Sequence, residues 1–541
     1  MPFSIAPQRN NTMIRGRWTQ TGRSIQAATL FALTLIVISC SQLQVAEQVQ
    51  YDLVITGGRV IDPESGFDQQ ANVAINGQTI VAISNLQLTG IESIDASGLV
   101  VSPGFIDLHS HALSKLGQQL QVMDGVTTAL ELEAGVYPID SLAQIFSGES
   151  IINYGASTSH LAIRQRVMEN IYKPHLLTTA KPLPLALGAE ANSESFAQSN
   201  AAFFQVASEQ QRNAIQTHLQ QGIDSGGLGI GFLLDYLSDA INADEIEMIF
   251  QLVAAAEVPV FVHIRRGLPG DPAGIEEVIR LARKHSASVH VCHLNVSAMG
   301  GIYHFLTLIK QARAEGVDIT TEVYPYNAGS TSISAAVFSR DWQSIFGISY
   351  QDVEWAATGE RFTQSLWNDY RQRFPGGQVI HHYGNEAWTQ AALKAPGVII
   401  ASDAMPISTT GDRVHPRGIG TFSKVLRRYT TKGDNSGTIG LITALAKMTV
   451  LPAKRMETFA PSFKHKGRLR EGFDADLTIF DPKKITDNAT FQQPLMPSKG
   501  IQYVLVNGEF VLKEGRFVAG TFPGKLIKGA AGKTAKLSVS K

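Results

Sequence analysis

Two histidines one residue apart, His109 and His111, follow the apolar run Pro103-Gly104-Phe105-Ile106-Asp107-Leu108. Side chains at i and i+2 of a strand share a face, so such a pair can turn two imidazoles onto one divalent ion from a strand end. The same spacing also occurs on solvated strands, where each ring only hydrogen-bonds water or a neighbour. The balance shifts because the chain carries Glu131, Glu133, His263, His293 and Asp403 in comparable positions. Imidazole and carboxylate are the ligand types that suit zinc or a related divalent ion. For any one of these residues a satisfied core histidine or a solvated carboxylate is the commoner outcome. Their convergence is what predicts a metal site.

The elements that must position them are short apolar or β-branched runs alternating with helical segments, the pattern of βα units around a parallel sheet. Eight such runs stand out: Gly104 to Leu108, Gly125 to Glu133, Asn153 to Ser159, Gly226 to Leu233, Pro259 to Ile264, Ser288 to Asn295, Asp318 to Tyr326 and Gly397 to Asp403. Eight units predict a closed (β/α)8 TIM-like barrel over residues 104–459, and in such barrels the chemistry sits at the C-terminal strand ends. His109 and His111 then belong to the first strand, Glu131 and Glu133 to the second, His263 to the fifth, His293 to the sixth and Asp403 to the eighth. No phosphate-cradling glycine loop and no Gly-x-Ser-x-Gly elbow competes with them. Strand-like segments before and after the barrel, Tyr51 to Val100 and Ala475 to Leu512, predict a small β-sandwich built from both termini, residues 41–103 and 460–541. Gly57-Gly58 and Asn76-Gly77 suit tight turns within it.

At 541 residues the chain has length for about three or four domains, although a barrel with insertions absorbs most of it. Lys plus Arg (46) nearly cancels Asp plus Glu (47), and the body of the chain has no basic stripe, which argues against a nucleic-acid partner. Near the N-terminus, Arg9, Arg15, Arg17 and Arg23 precede the apolar run Ala27 to Ile38, too short to span a membrane and of the length of a signal h-region. Val37-Ile38-Ser39-Cys40 resembles the lipobox of bacterial lipoproteins, with Ile38 an unusual occupant. Residues 1–40 are therefore expected to be a signal segment, the mature protein a periplasmic or outer-membrane-anchored lipoprotein, and a lipid on Cys40 its one link to the membrane. The alternative is ordinary secretion or an uncleaved anchor. Cys292 is the other of the two cysteines, so no disulfide closes within the mature monomer.

Longer motifs carry a resemblance. Pro103-Gly104-Phe105-Ile106-Asp107 with His109 and His111, Asp124-Gly125-Val126-Thr127-Thr128, Tyr324-Pro325-Tyr326-Asn327-Ala328-Gly329-Ser330-Thr331, Ala401-Ser402-Asp403, His415-Pro416-Arg417-Gly418-Ile419-Gly420-Thr421-Phe422 and Gly467-Arg468-Leu469-Arg470-Glu471-Gly472-Phe473-Asp474-Ala475-Asp476-Leu477 are together similar to the amidohydrolase superfamily. Within it the chain resembles the D-aminoacylase (N-acyl-D-amino-acid deacylase) family from Tyr51 to Arg516, with a divergent stretch around Phe338 to Ala387. The resemblance implies metal binding by His109, His111, His263 and His293, with one or two zinc or other divalent ions. It implies proton transfer by Asp403, a bidentate grip of Arg417 on the substrate α-carboxylate, and further substrate contacts from Tyr324 and Ser330.

Several departures bear on that picture. Where the family commonly carries a metal-binding Cys after the second strand's Gly-Val-Thr-Thr, this chain reads Ala129-Leu130-Glu131-Leu132-Glu133-Ala134-Gly135. Glu133 is the substitute, able to bridge two ions, and Glu131 is the reserve candidate. The carbamylated Lys of hydantoinase and dihydroorotase relatives is missing from Gly226 to Leu234, a family Lys is replaced by Asn295, and an expected fourth-strand tyrosine by Leu234. Trp342, Trp355, Trp367, Phe338, Phe346 and Phe362 read as the core of an insertion at about 335–395, and His381-His382 as surface or backing residues. Cys292 reads as packed rather than reactive.

The expected activity is hydrolysis of a linear amide, most directly an N-acyl amino acid, by metal-activated water with Asp403 as base. A cyclic-amide or lactone hydrolase of the same superfamily is one alternative. A catalytically inactive surface binding lipoprotein is the other. The expected partner is a small-molecule substrate.

Overall fold

A computed structural model describes residues 50–173, 201–237, 240–430 and 438–530. The expected signal segment and Cys40 lie outside the described residues. Among the described residues no helix is long and apolar enough to cross a membrane.

All eight predicted runs contribute to one parallel sheet: Phe105–Asp107, Val126–Val136, Asn153–Ser159, Ile230–Phe232, Pro259–Val262, Ser288–Val291, Ile319–Val323 and Val398–Ile400. Each pairs with its neighbours in chain order, so the sheet curls until the first and last strands meet. They meet just past their ends. The Asp403 N–H donates to the His109 carbonyl at 2.8 Å and the His111 N–H to the Ala404 carbonyl at 2.8 Å, around a parallel bridge between Ser110 and Ala404. The hydrogen bonds that close the barrel are thus the ones that bring the His-x-His pair beside Asp403. Gly104 is required at the barrel's entry, because a Cβ there would land on the Thr127 side chain.

Below this rim the barrel interior is apolar: Ile106, Leu108, Leu130, Leu132, Phe261 and Ile399 pack in one cluster with Cys292, which is buried as expected. Outside, helices bury one face on the strands. Ala243–Ala256 is capped by the Asn242 side chain on the Glu245 N–H and presents Ile249, Phe250 and Val253 to the core.

The two flanking segments share a nine-stranded sheet. Val100–Pro103 pairs parallel to Gln50–Asp62 on one side and antiparallel to Leu477–Phe480 on the other, which joins the N-terminal and C-terminal strands. Asn507 and Gly508, both with positive φ (49° and 84°), form the two-residue turn between Ile501–Val506 and Glu509–Lys513. Gly57-Gly58 differs from expectation. It lies inside strand Gln50–Asp62, where the register shifts between Ile55 and Gly58, and Gly57 at φ 68° makes a bulge instead of a turn.

The insertion builds a separate four-stranded sheet from Gly329–Ser332, Val353–Trp355, Glu360–Arg361 and Gln378–His381. Its aromatic residues pack on one another, with Trp342 and Trp367 centroids 5.2 Å apart and Phe338 edge-on to both. One rim of this sheet faces the mouth of the barrel and supplies Ser330, Gln378 and His381 to the cavity there.

Candidate metal centre

The strand ends are braced before any ligand is placed. Asp107, the last residue of the first strand, accepts the backbone N–H groups of His109 and Ser402 and the Ser402 hydroxyl, tying the first and eighth strand ends together. Burial pushes its carboxyl up to about 6 despite those donors. His293 and Asp403 follow their strands in left-handed backbone conformation, φ 62° and 52°. A non-glycine residue pays about 1–2 kcal/mol for that geometry, and here it aims His293 at Glu133 and Asp403 at the His109–His111 pair.

Glu133 lies between the two histidine pairs. Its Oε2 lies 3.3 Å from His109 Nε2 and 3.7 Å from His111 Nε2, while its Oε1 lies 2.8 Å from His293 Nε2 and 2.9 Å from His263 Nδ1. One carboxylate therefore spans two histidine pairs. Asp403 Oδ1 stands 3.4 Å from the Nε2 atoms of both His109 and His111. Two clusters of convergent ligand atoms result: His109, His111 and Asp403, and Glu133, His263 and His293.

The outer partners fix which ring nitrogen faces inward. His109 Nδ1 is 2.5 Å from Glu322 Oε1, and His111 Nδ1 is 2.7 Å from Glu131 Oε2. An ionised carboxylate only accepts, so each Nδ1 carries the proton and each Nε2 turns a lone pair to the centre. Those two Nε2 atoms sit 3.1 Å apart, and His263 Nδ1 and His293 Nε2 sit 3.0 Å apart. Lone pairs this close to one another and to two carboxylates call for a cation among them. His263 Nε2 is also buried without a hydrogen-bond partner among the described residues. The donor set of His109, His111, Glu133, His263 and His293 fits one or two divalent ions. With protons alone to compensate, burial is outweighed by charge: Asp403, Glu133 and Glu322 hold His109 well above the usual histidine range, and the facing histidines hold Glu133 well below the carboxylate range.

The remaining predicted residues reach the same cavity. Arg417 opens the helix Arg417–Lys424 and is buried, with Nη2 2.8 Å from Asp403 Oδ1, Nε donating to the Asp403 carbonyl, and Cζ 4.7 Å above the Tyr324 ring. Burial opposes ionisation of Asp403, yet Arg417 and His109 hold its carboxyl down at about 2. Tyr324 donates to the Ala328 carbonyl at 3.2 Å, and Ser330 to the Val379 carbonyl at 3.0 Å. Glu131 stands behind His111 instead of at the centre.

Some residues were not anticipated. Glu322 holds His109 and also lies 3.0 Å from His290 Nε2; its signal was a lone carboxylate in the buried strand Ile319–Val323. His381 lines the cavity and is buried, not at the surface, because the insertion sheet folds back over the barrel mouth. Tyr236, two residues past Leu234, brings a phenol to the cavity and sits 2.9 Å from Thr331 Oγ1.

No family model matches the chain. Among curated proteins it is 28% identical over 483 residues to an N-acyl-D-glutamate deacylase of Alcaligenes xylosoxydans xylosoxydans, covering 85% of this chain and 93% of the relative. It is 28% identical over 506 residues to a D-aminoacylase of the same organism, covering 89% and 98%. Among solved structures, the N-acyl-D-glutamate deacylase of Bordetella bronchiseptica, complexed with zinc and a phosphonate that mimics the tetrahedral intermediate, superposes with a TM-score of 0.69 at 24% identity, over 89% of this chain and all of that one.

Proposed function

We propose that the chain, which is similar to the D-aminoacylases of the amidohydrolase superfamily, is a metal-dependent deacylase of N-acyl amino acids, with Glu133 among the residues that would hold one or two metal ions. The enzyme class is that of amidohydrolases acting on carbon–nitrogen bonds other than peptide bonds. The observation that carries the reading is the placement of Glu133 between two histidine pairs with Asp403 beside one of them. D-configured substrates are favoured by the activities for which the relatives are named.

His109, His111, His263, His293 and Glu133 would hold the ions, zinc being the species bound in the Bordetella relative. Such ions would supply Lewis acidity for the amide carbonyl and lower the pKa of a water to about 7. Asp403, ionised beside Arg417, takes the proton of the attacking water and returns it to the leaving nitrogen. Glu131 and Glu322 keep the two imidazoles in the tautomer that faces the centre. Arg417 orients the substrate through its α-carboxylate.

The test is a screen of N-acyl-D-amino acids, their L-isomers, dipeptides and hydantoins against zinc-reconstituted protein. Release of free amino acid from the linear amides is expected. Turnover of hydantoins alone would replace the deacylase with a cyclic-amide hydrolase, and none at all with a binding protein.

Arg417 gives a sharper prediction. Lys cannot reproduce a two-pronged contact, so Arg417→Lys should lower kcat/KM on N-acyl amino acids about a hundredfold and far less on their methyl esters. Equal losses on acid and ester would confine Arg417 to holding Asp403.

We further propose the location of a lipoprotein, supported by the Arg-rich start, the apolar run to Ile38 and Cys40. Full-length protein made in a bacterium should sediment with membranes and release in detergent, whereas Cys40→Ser should be unprocessed and unlipidated. A soluble mature protein beginning elsewhere than Cys40 would mean ordinary signal cleavage.

A further inference from the structure

Three of the four histidines at the centre have a hydrogen-bond partner behind the ring. His109 Nδ1 faces Glu322, His111 Nδ1 faces Glu131, and His293 Nδ1 lies 3.3 Å from the Ser297 hydroxyl. His263 is the exception, and its ring is turned the other way round. Its Nδ1 points at Glu133 and at His293 Nε2, while its Nε2 is the nitrogen left buried without a hydrogen-bond partner among the described residues. A neutral imidazole that gives its Nδ1 lone pair to a cation must carry its proton on Nε2. That N–H then needs an acceptor, because a buried donor left unpaired costs about 1–3 kcal/mol.

A carboxylate stands on that side of the ring. Asp235 opens the short turn Asp235–Leu237 beyond the fourth strand, is buried, and places its Oδ2 3.8 Å from His263 Nε2. Its main chain is fastened to the same histidine, since the Asp235 N–H donates to the His263 carbonyl at 3.1 Å. Its side chain is fastened too. The Arg266 backbone N–H and Arg340 Nη2 meet Oδ1 at 3.0 and 2.8 Å, and Arg266 Nε donates to Oδ2 at 2.9 Å. Arg340 comes from the insertion and also donates from Nη1 to the Arg266 carbonyl at 3.1 Å, so the divergent part of the chain reaches the back of the metal centre through Asp235.

We propose that Asp235 is a positioning residue for His263, accepting the Nε2 proton once Nδ1 holds a metal ion, and that it thereby sets how tightly the Glu133–His263–His293 cluster binds that ion. This rests on the metal-centre reading and not on which amide is cleaved. It gives all four imidazoles an outer partner, with the one for His263 supplied across two strands and braced by the insertion.

Zinc affinity and the ring N–H itself test it. Asp235→Asn keeps the shape of the side chain and removes its charge, and the zinc Kd, from competition with a chromophoric chelator, should rise about tenfold to a hundredfold. Cobalt-substituted protein supplies a readout that general loosening would not move. Each ligand histidine contributes one hyperfine-shifted ring N–H resonance, and in Asp235→Asn one of these should exchange with solvent at least about tenfold faster while those of His109 and His111 keep their wild-type rates. If Asp235→Asn does not fold, a crystal structure of the zinc-loaded wild type decides: Asp235 Oδ2 should lie within hydrogen-bond distance of His263 Nε2, about 3.2 Å or less. An unchanged zinc Kd in folded Asp235→Asn, ring N–H exchange identical in variant and wild type, or a zinc-loaded structure in which another group or a water takes the Nε2 proton each overturn the proposal. Wild-type protein that binds no zinc overturns it together with the metal centre. None of these readouts uses turnover, so a protein that hydrolyses no amide still reports on Asp235.

Discussion

Protein carrying Glu133→Ala is expected to emerge from purification with less than half of the wild-type divalent metal and with turnover reduced by about a thousandfold or more, since several kcal/mol of transition-state stabilisation go with the ions and each 1.36 kcal/mol is tenfold. The size of the effect follows from position. Removing His111 would take one ligand from one cluster, but Glu133 faces His109 and His111 with one oxygen and His263 and His293 with the other. Its loss also removes the carboxylate that reaches both histidine pairs and leaves Asp403 beside His109 and His111 alone. Elemental analysis on matched preparations, together with amide hydrolysis, measures both halves of the prediction. Metal content and turnover that both match wild type would remove Glu133 from the centre, and metal-free wild-type protein that is fully active would falsify the mechanism as a whole.

How far the chain could be read without coordinates varies with the kind of contact. The barrel was legible because eight runs each announce themselves locally, through apolar content and the turn residues beside them. The convergence of the histidines was legible for a related reason: strand ends in a parallel barrel share one rim, so position along a strand is enough to gather His109, His111, His263 and His293. Glu133 came from the family resemblance, as the substitute for a metal-binding Cys, with Glu131 in reserve on the same strand face. What spacing does not encode is contact across the barrel. Nothing near Arg417 in the sequence announces its ion pair with Asp403, fourteen residues away, and nothing near His109 announces Glu322 on the seventh strand. His381 was misplaced for the same reason, since a divergent insertion shows its own aromatic core but not which rim of its sheet will face the site. Gly57-Gly58 failed differently: two adjacent glycines permit a turn and a bulge equally, and the long pairing of Gln50–Asp62 with Phe67–Asn76 decided for the bulge.

Asp403→Asn separates catalysis from metal binding. Asn keeps the shape of the side chain, and the Arg417 Nε contact is to the Asp403 backbone carbonyl, so the local fold has reason to persist. What the substitution removes is the charge that Arg417 and His109 now stabilise and a carboxylate oxygen beside the His-x-His pair that can accept a proton and hand it on. Turnover should fall by about a hundredfold to ten-thousandfold, the usual worth of a positioned general acid–base. Metal occupancy should stay largely intact, because Glu133 and the four histidines remain. The two readouts pull apart the possible roles of the residue. Lost turnover with retained metal identifies Asp403 as the proton carrier, whereas loss of both would make it chiefly a ligand of the His109–His111 cluster. Unchanged turnover would mean that another group moves the proton, and Tyr236, whose phenol lies beside His263, would be the next to replace.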